Sequence, residues 1–327
     1  MNITIYDHIA SNRRKTVMLF LLFPLALIVL VYVTMLIAWL LISDPLFSPV
    51  HAANQMAYTY MPVIFIVAVG WMFVSYISGG DIMLATAGAK EIDRDSNPEI
   101  YALVENVVRT SGLPMPRVYI IKDESLNAFA TGRSPNKAAI AFTSGILKVL
   151  NKSELEGVIA HEISHIANRD VMLMMIVITG IGVFTLIGQL LIRFGGAMAM
   201  SRGRSSGRGN PGGLLVLFGF AMLIYGLFLA PLIMYGLSRR REYQADASAA
   251  LLTRNPGALA SALAKISHDS RVEALDKMPL MSAACIEETT DEKRGEYQSF
   301  LSGVFSRSTH PPISLRIKAL NQMEGNY

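Results

Sequence analysis

The chain has 327 residues, 52% of them hydrophobic and only 17% charged, and its mean hydropathy of +0.40 is too high for an ordinary soluble domain. The formal charge of +4 could suit a nucleic-acid binder, but the basic residues gather beside apolar runs, at Arg13-Arg14-Lys15 and Arg239-Arg240-Arg241. No basic stripe with interleaved aromatics occurs, so nucleic acid is excluded as a partner. The single cysteine, Cys285, has no intramolecular disulfide partner and no CxxC mate.

The first apolar run, Thr16 to Ile42, is uncharged and longer than the roughly 20 residues a helix needs to cross the hydrocarbon. It is too long for a signal-peptide core and reads as a retained anchor. A second uncharged run, Tyr58 to Ile77, pairs with it as a membrane hairpin. The intervening loop lacks Lys and Arg while both outer flanks carry them, which puts the N-terminus and everything after Ile77 in the cytoplasm. Two further runs follow, at about 171–192 and 214–237, joined by a Gly- and Ser-rich stretch with Arg193, Arg202, Arg204 and Arg208. That basic loop conflicts with the charge rule if both runs cross, and a hairpin that only dips into the bilayer would remove the conflict; crossing is the favoured reading.

The expected organisation is an N-terminal membrane hairpin over 1–78, a first half of a cytoplasmic domain over 79–170, a second apolar hairpin over 171–237, and the second half over 238–327. The polar parts are mainly helical. Asn97-Pro98-Glu99 starts a helix that Gly112 stops, Val118 to Ile121 and Ala139 to Thr143 read as short strands, and Ser153 with Glu156 reads as a capping box opening a helix through Asn168. Further helices are expected from Glu242 to about Leu252 and after His310-Pro311-Pro312.

The capped helix contains His161-Glu162-Ile163-Ser164-His165. Four-residue spacing puts both imidazoles on one face, where two nitrogens can grip one zinc ion. Glu162, roughly 60° around the helix from His165, is placed to take a proton from a metal-activated water rather than to bind the metal. Random placement produces such a motif in roughly one chain in 200, so chance is a poor explanation. The metal needs a third protein ligand, and the adjacent downstream sequence offers no histidine at the metzincin spacing. Glu242 and Asp246 stand four apart just after the last apolar run. Glu242 can complete the shell, and Asp246 can take the free N–H of a ligand histidine. His165 and Glu242 can share an ion only on one side of the membrane, so the chain between them crosses twice or not at all.

With these residues in view, the sequence resembles the HtpX family of membrane zinc endopeptidases, relatives of the C-a-a-X prenyl-protein proteases. The likeness runs along the whole chain: the two N-terminal spans, Asn127 to Gly132, His161 to Asp170, Ser238 to Asp246, and His310-Pro311-Pro312 with Arg316. It implies a mainly α fold with a small β-sheet, a polytopic membrane protein carrying a gluzincin-type metalloprotease domain. One Zn2+ per chain is implied, on His161, His165 and Glu242, with Glu162 as base. The resemblance implies cleavage of misfolded or damaged membrane proteins and unfolded polypeptides at the cytoplasmic face of the bacterial inner membrane, in a stress response. By the same resemblance Ala138 to Thr143, with Ala139, Ile140 and Ala141, would be the edge strand that pairs with an extended substrate. Asn127 would sit near the cleft, and His310 or Arg316 would stabilise the oxyanion. Where members commonly carry glycine after Ala-Asn, this chain has Arg169. The competing readings are a site-specific processing protease of the prenyl-protein type, a structural zinc scaffold and an ion-coupled transporter. Glu162 has no use in a closed structural site, and the four apolar runs contain no Asp or Glu for ion coupling.

Overall fold

The computed structural model describes residues 5–42, 49–201, 211–235, 239–267 and 311–324; His310, His268 and Cys285 lie outside them. The chain is mostly helical with one small mixed sheet. It divides into two compact units, one comprising Met1–Arg13, Tyr76–Thr179 and Pro231–Tyr327, the other Arg14–Ser75 and Gly180–Ala230.

The apolar runs form helices α1 (Ile5–Ile42) and α2 (Pro49–Thr86), and α6 (Asp170–Ser201) and α7 (Pro211–Tyr235). Among the described residues one stretch, Ala57–Thr86, is long and apolar enough to cross a membrane, while Pro24–Ala38, Phe184–Met200 and Gly212–Gly226 are shorter apolar helices. Leu21, Leu25 and Val29 on α1 and Ile66, Val67 and Phe73 on α2 are exposed, which water disfavours at about 25 cal/mol per Å2. In the second unit α6 and α7 run antiparallel and touch through glycines. A Cβ on Gly188 would stand 2.8 Å from the Gly219 carbonyl oxygen, and one on Gly195 would stand 2.6 Å from that of Gly212. Such backbone approach through small residues is how helices pack where hydrophobic exclusion gives no drive.

The other unit is built on a four-stranded sheet in the order β1-β2-β4-β3. Its strands are β1 (Lys90–Ile92), β2 (Arg117–Ile121), β3 (Ala128–Gly132) and β4 (Ala138–Thr143). β2 and β4 are parallel, and the other two pairings are antiparallel. Around the sheet stand α3 (Pro98–Ser111), α4 (Ser144–Val149), α5 (Lys152–Ala167), α8 (Arg239–Thr253), α9 (Pro256–Ile266) and α10 (Ile313–Glu324). Val104, Ile140, Phe142, Val158, Ile159, Leu259, Leu263 and Leu320 form one core across these elements. Gly157 of α5 lets α9 approach, since a Cβ there would lie 3.1 Å from Leu259.

Several expectations change. The capping box at the head of α5 is Asn151 with Glu154, not Ser153 with Glu156. The Asn151 side chain accepts the Glu154 amide at 3.0 Å and Glu154 returns the bond at 2.8 Å. Glu154 is also bonded to Ser261 and Lys265 of α9, each at 2.7 Å, so the true box is the one that also reaches a second helix. The strand Ala138–Thr143 is not an edge: β2 and β3 flank it, and both of its hydrogen-bonding edges are taken. Ala139, Ile140 and Ala141 are wholly buried and cannot pair with a substrate. The edge strands of the sheet are β1 and β3, and β3 is itself buried along its length.

Burial alone would raise the pKa of Glu154, but bonds from Lys265 and Ser261 outweigh it and hold the carboxyl below its usual 4.5. A depressed carboxylate contributes stability above its unfolded pKa and loses it as pH falls through the folded one. Wild type is therefore expected to lose thermal stability below about pH 4.5 more steeply than Glu154→Gln. At neutral pH Glu154→Ala is expected to cost about 2 kcal/mol, from the lost cap and the lost interhelical bonds. Melting curves of both variants against pH check this.

Candidate metal centre

α5 carries His161 and His165 on one face, and α8 brings Glu242 against them. One ligand atom from each of the three lies within 4.8 Å of the other two. The two Nε2 atoms are 3.2 Å apart. Glu242 lies 3.7 Å from each of them, through Oε2 to His161 and Oε1 to His165. Three donors on one zinc ion at tetrahedral angles would stand about 3.3–3.5 Å apart; the imidazole nitrogens are close to that spacing, and each has a different Glu242 oxygen slightly beyond it. Two imidazoles and a carboxylate with the fourth direction open are the donor set of a catalytic zinc site. The residues fit the ion.

Both histidines are held from behind. His161 Nδ1 lies 3.0 Å from Asp246 Oδ1, and Arg316 closes bidentately on that carboxylate at 2.8 and 2.7 Å. His165 Nδ1 lies 3.2 Å from Asp170 Oδ2, and Arg241 bonds Asp170 Oδ1 at 3.1 Å. Each imidazole thus heads a His-Asp-Arg chain. A carboxylate taking Nδ1–H fixes the tautomer that presents Nε2 to a metal. Burial on its own would raise Asp246, but the Arg316 guanidinium and the His161 bond bring its pKa down to about 2. Burial would lower His165, yet the Asp170 bond and the Glu242 charge push it up to about 9.

Glu162 is buried at 3% exposure. Burial raises its pKa against the lowering pull of the two histidines and of the Ala130 amide, which donates to its carboxylate. That amide belongs to β3. Thr143 N–H donates to the Asn127 carbonyl at 3.0 Å, and the antiparallel register pairs Phe129 with Ala141. Residues 127, 129 and 131 therefore face β4, and the amides of Ala128 and Ala130 point away from it. Glu162 stands against the outer side of β3, where it takes one of these two amides and Asn127 takes the other.

Asp170 and Arg241 went unread in the sequence. Arg169 adopts φ 58°, a left-handed turn that ends α5 and starts α6, and this lets Asp170 reach back to His165. The available signals were the Asp closing the run from His161 and the Arg directly before Glu242. Arg316, expected at the oxyanion, is only 1% exposed and occupied by Asp246, so it supports a ligand histidine instead. Asn127 is buried at the head of β3, where its Oδ1 takes the Ala128 amide at 2.9 Å. It shapes the edge strand and offers little surface to a substrate. Asp170→Asn is expected to weaken zinc affinity about 10- to 100-fold, with Arg241→Met weaker in the same direction; competition titration with a chelating dye measures it.

The peptidase family M48 model matches residues 94–324. The chain belongs to peptidase family M48. Relatives named Protease HtpX homolog include one from Bacteroides fragilis, 38% identical over 96% of this chain and 97% of its own length. Another, from Lactobacillus helveticus, is 35% identical over 98% of this chain and its full length, and one from Listeria monocytogenes is 37% identical over 98% of this chain and its full length. The HtpX resemblance is thus shown across the chain, and with it a metalloprotease. The crystal structure of S. mikatae Ste24p aligns with a TM-score of 0.46 and 19% identity, covering 81% of this chain and 58% of that one.

Proposed function

We propose that this M48 member is a membrane-embedded, zinc-dependent endopeptidase that cleaves misfolded or damaged membrane proteins at the cytoplasmic face of the bacterial inner membrane. The observation that carries the reading is the convergence of His161, His165 and Glu242 within ligand reach of one another, with Glu162 bonded to the outer side of edge strand β3. The exposed apolar side chains of α1 and α2 support membrane insertion, as does the glycine packing of α6 on α7. His165 and Glu242 meet at ligand distance on either side of that α6–α7 segment, consistent with two crossings.

Zinc bound there would supply Lewis acidity for a peptide carbonyl and acidify a water. The chain's own residues do the rest. The outward carbonyl groups of β3, whose Ala128 and Ala130 amides are taken by Asn127 and Glu162, accept from an extended peptide, a contact that reads backbone more than side chains and gives broad specificity. Glu162 accepts the proton of the attacking water and returns it to the departing amine. Asp246 and Asp170 keep both imidazoles aimed while charge develops. Purified full-length protein should bind one zinc per chain and cleave an unfolded membrane-protein substrate, with both properties lost together on chelation and restored by zinc. Cleavage that persists without metal, or that is confined to one short tail sequence, overturns the reading in favour of a contaminant or of a processing protease.

A further inference from the structure

Five of the described arginines are matched by carboxylates. Arg94 and Arg109 meet Glu105, Arg117 meets Asp81, Arg241 meets Asp170, and Arg316 meets Asp246. Arg133 and Arg169 differ. They come from separate elements, one just after β3 and the other at the α5–α6 junction, yet they line the same shallow pocket together with Ser134, Ile166, Val171 and Met172. Among the described residues no carboxylate lies within ion-pair distance of either. The Arg133 guanidinium sits over the Tyr76 ring, 5.7 Å from its centroid, which holds the group in place while its N–H edge stays available to an acceptor. Arg169 occupies a left-handed conformation, φ 58°, that glycine would adopt without strain. Two cations that line one pocket with a serine, and with no carboxylate partner among the described residues, suit a phosphate oxyanion.

The rest of the lining narrows the source of that phosphate. Ile166, Val171 and Met172 give the pocket an apolar wall, and the sequence of α6 carries no charge from Val171 to Ile192. Tyr76 belongs to Ala57–Thr86, the stretch long and apolar enough to cross a membrane. Arg169 therefore stands at the head of one apolar helix, Arg133 lies over an aromatic ring of another, and apolar surface lies beside them. Basic and aromatic side chains at that level are where headgroups meet protein. A free phosphate needs the cations alone, whereas a phospholipid also uses the wall. We propose that Arg133 and Arg169 form a binding site for the phosphate of an anionic membrane phospholipid. The proposal rests on the membrane reading above.

The test uses full-length protein in detergent, followed by native mass spectrometry and thermal shift. The probes are dihexanoyl phosphatidylglycerol, dihexanoyl phosphatidylcholine, inorganic phosphate and a short acidic peptide. Phosphatidylglycerol is expected to bind and raise the melting temperature, with the other three much weaker. Arg133→Gln and Arg169→Gly are each expected to weaken phosphatidylglycerol about tenfold or more. Arg169→Gly relieves the backbone, so its own melting temperature should not fall, which separates lost binding from lost folding. Retained phosphatidylglycerol binding in the double variant overturns the site. Arginine-dependent binding of phosphate or of the peptide without a lipid preference overturns the lipid assignment. Carbonate extraction of membranes tests the underlying reading by itself: if wild type leaves the bilayer, the membrane reading falls and the proposal with it. If wild type stays while lipid binding ignores both arginines, the proposal alone falls.

Discussion

Glu162→Gln should abolish peptidase activity and leave the zinc in place. The side chain is not among the three groups that converge at ligand distance, so its replacement leaves His161, His165 and Glu242 as they stand. Its buried carboxylate is pushed toward neutrality by desolvation, which makes it a stronger proton acceptor than an exposed glutamate. Glutamine keeps the shape and can still accept the Ala130 amide, but it cannot take a proton. Loss of general-base catalysis corresponds to a fall in kcat of about 10^2- to 10^4-fold. Because a desolvated charge is removed, the melting temperature should hold or rise. Zinc by mass spectrometry, a melting curve and turnover of an unfolded substrate together decide it: activity near wild type removes Glu162 from the base role, and absent zinc makes it a ligand.

What the sequence disclosed and what it withheld follow a physical division. The pairing of His161 and His165 was legible because helical spacing is local: they are one turn apart whatever the rest of the chain does. The apolar runs were legible because their composition alone forces helix or membrane. The sheet was only half legible. β2 is rich in β-branched residues, but β3 reads Ala-Phe-Ala-Thr-Gly, with little strand propensity, and becomes a strand because β4 pairs with it and α5 covers it. The edge reading of β4 came from the family resemblance, and the pairing of β3 with β4 overturns it. Gly132, at φ 128° and with no room for a Cβ against the Lys137 carbonyl oxygen, was the clue to a tight return there. The Asp170–Arg241 and Asp246–Arg316 pairs span 71 and 70 residues, and no periodicity links residues so far apart. The capping box was misplaced by two residues because Ser153 and Glu156 satisfy the same pattern as Asn151 and Glu154. The choice between them was made by Ser261 and Lys265, on another helix.

Removal of Arg316 should be the most damaging change that touches no zinc ligand. The guanidinium is almost wholly buried and bonds both oxygens of Asp246. It also stands 3.6 Å from Glu242 Oε2. Arg316→Met leaves the buried Asp246 carboxylate without its main counter-charge, and breaking such a pair from one side costs about 3–5 kcal/mol. Asp246 would respond by taking up a proton. A neutral acid bonds the His161 ring less firmly, so the His161 Nε2 is less well aimed and zinc affinity should fall about 10- to 100-fold. Arg316→Lys keeps the charge but not the fork, and should recover stability more than zinc affinity. The double variant Arg316→Met, Asp246→Asn carries no stranded charge. It should therefore melt above Arg316→Met alone while binding zinc no better. That divergence separates an ion pair that merely holds α10 to α8 from one that also orients a ligand. If stability and zinc affinity recover together in the double variant, Arg316 acts on packing only, and the aim of His161 is set elsewhere.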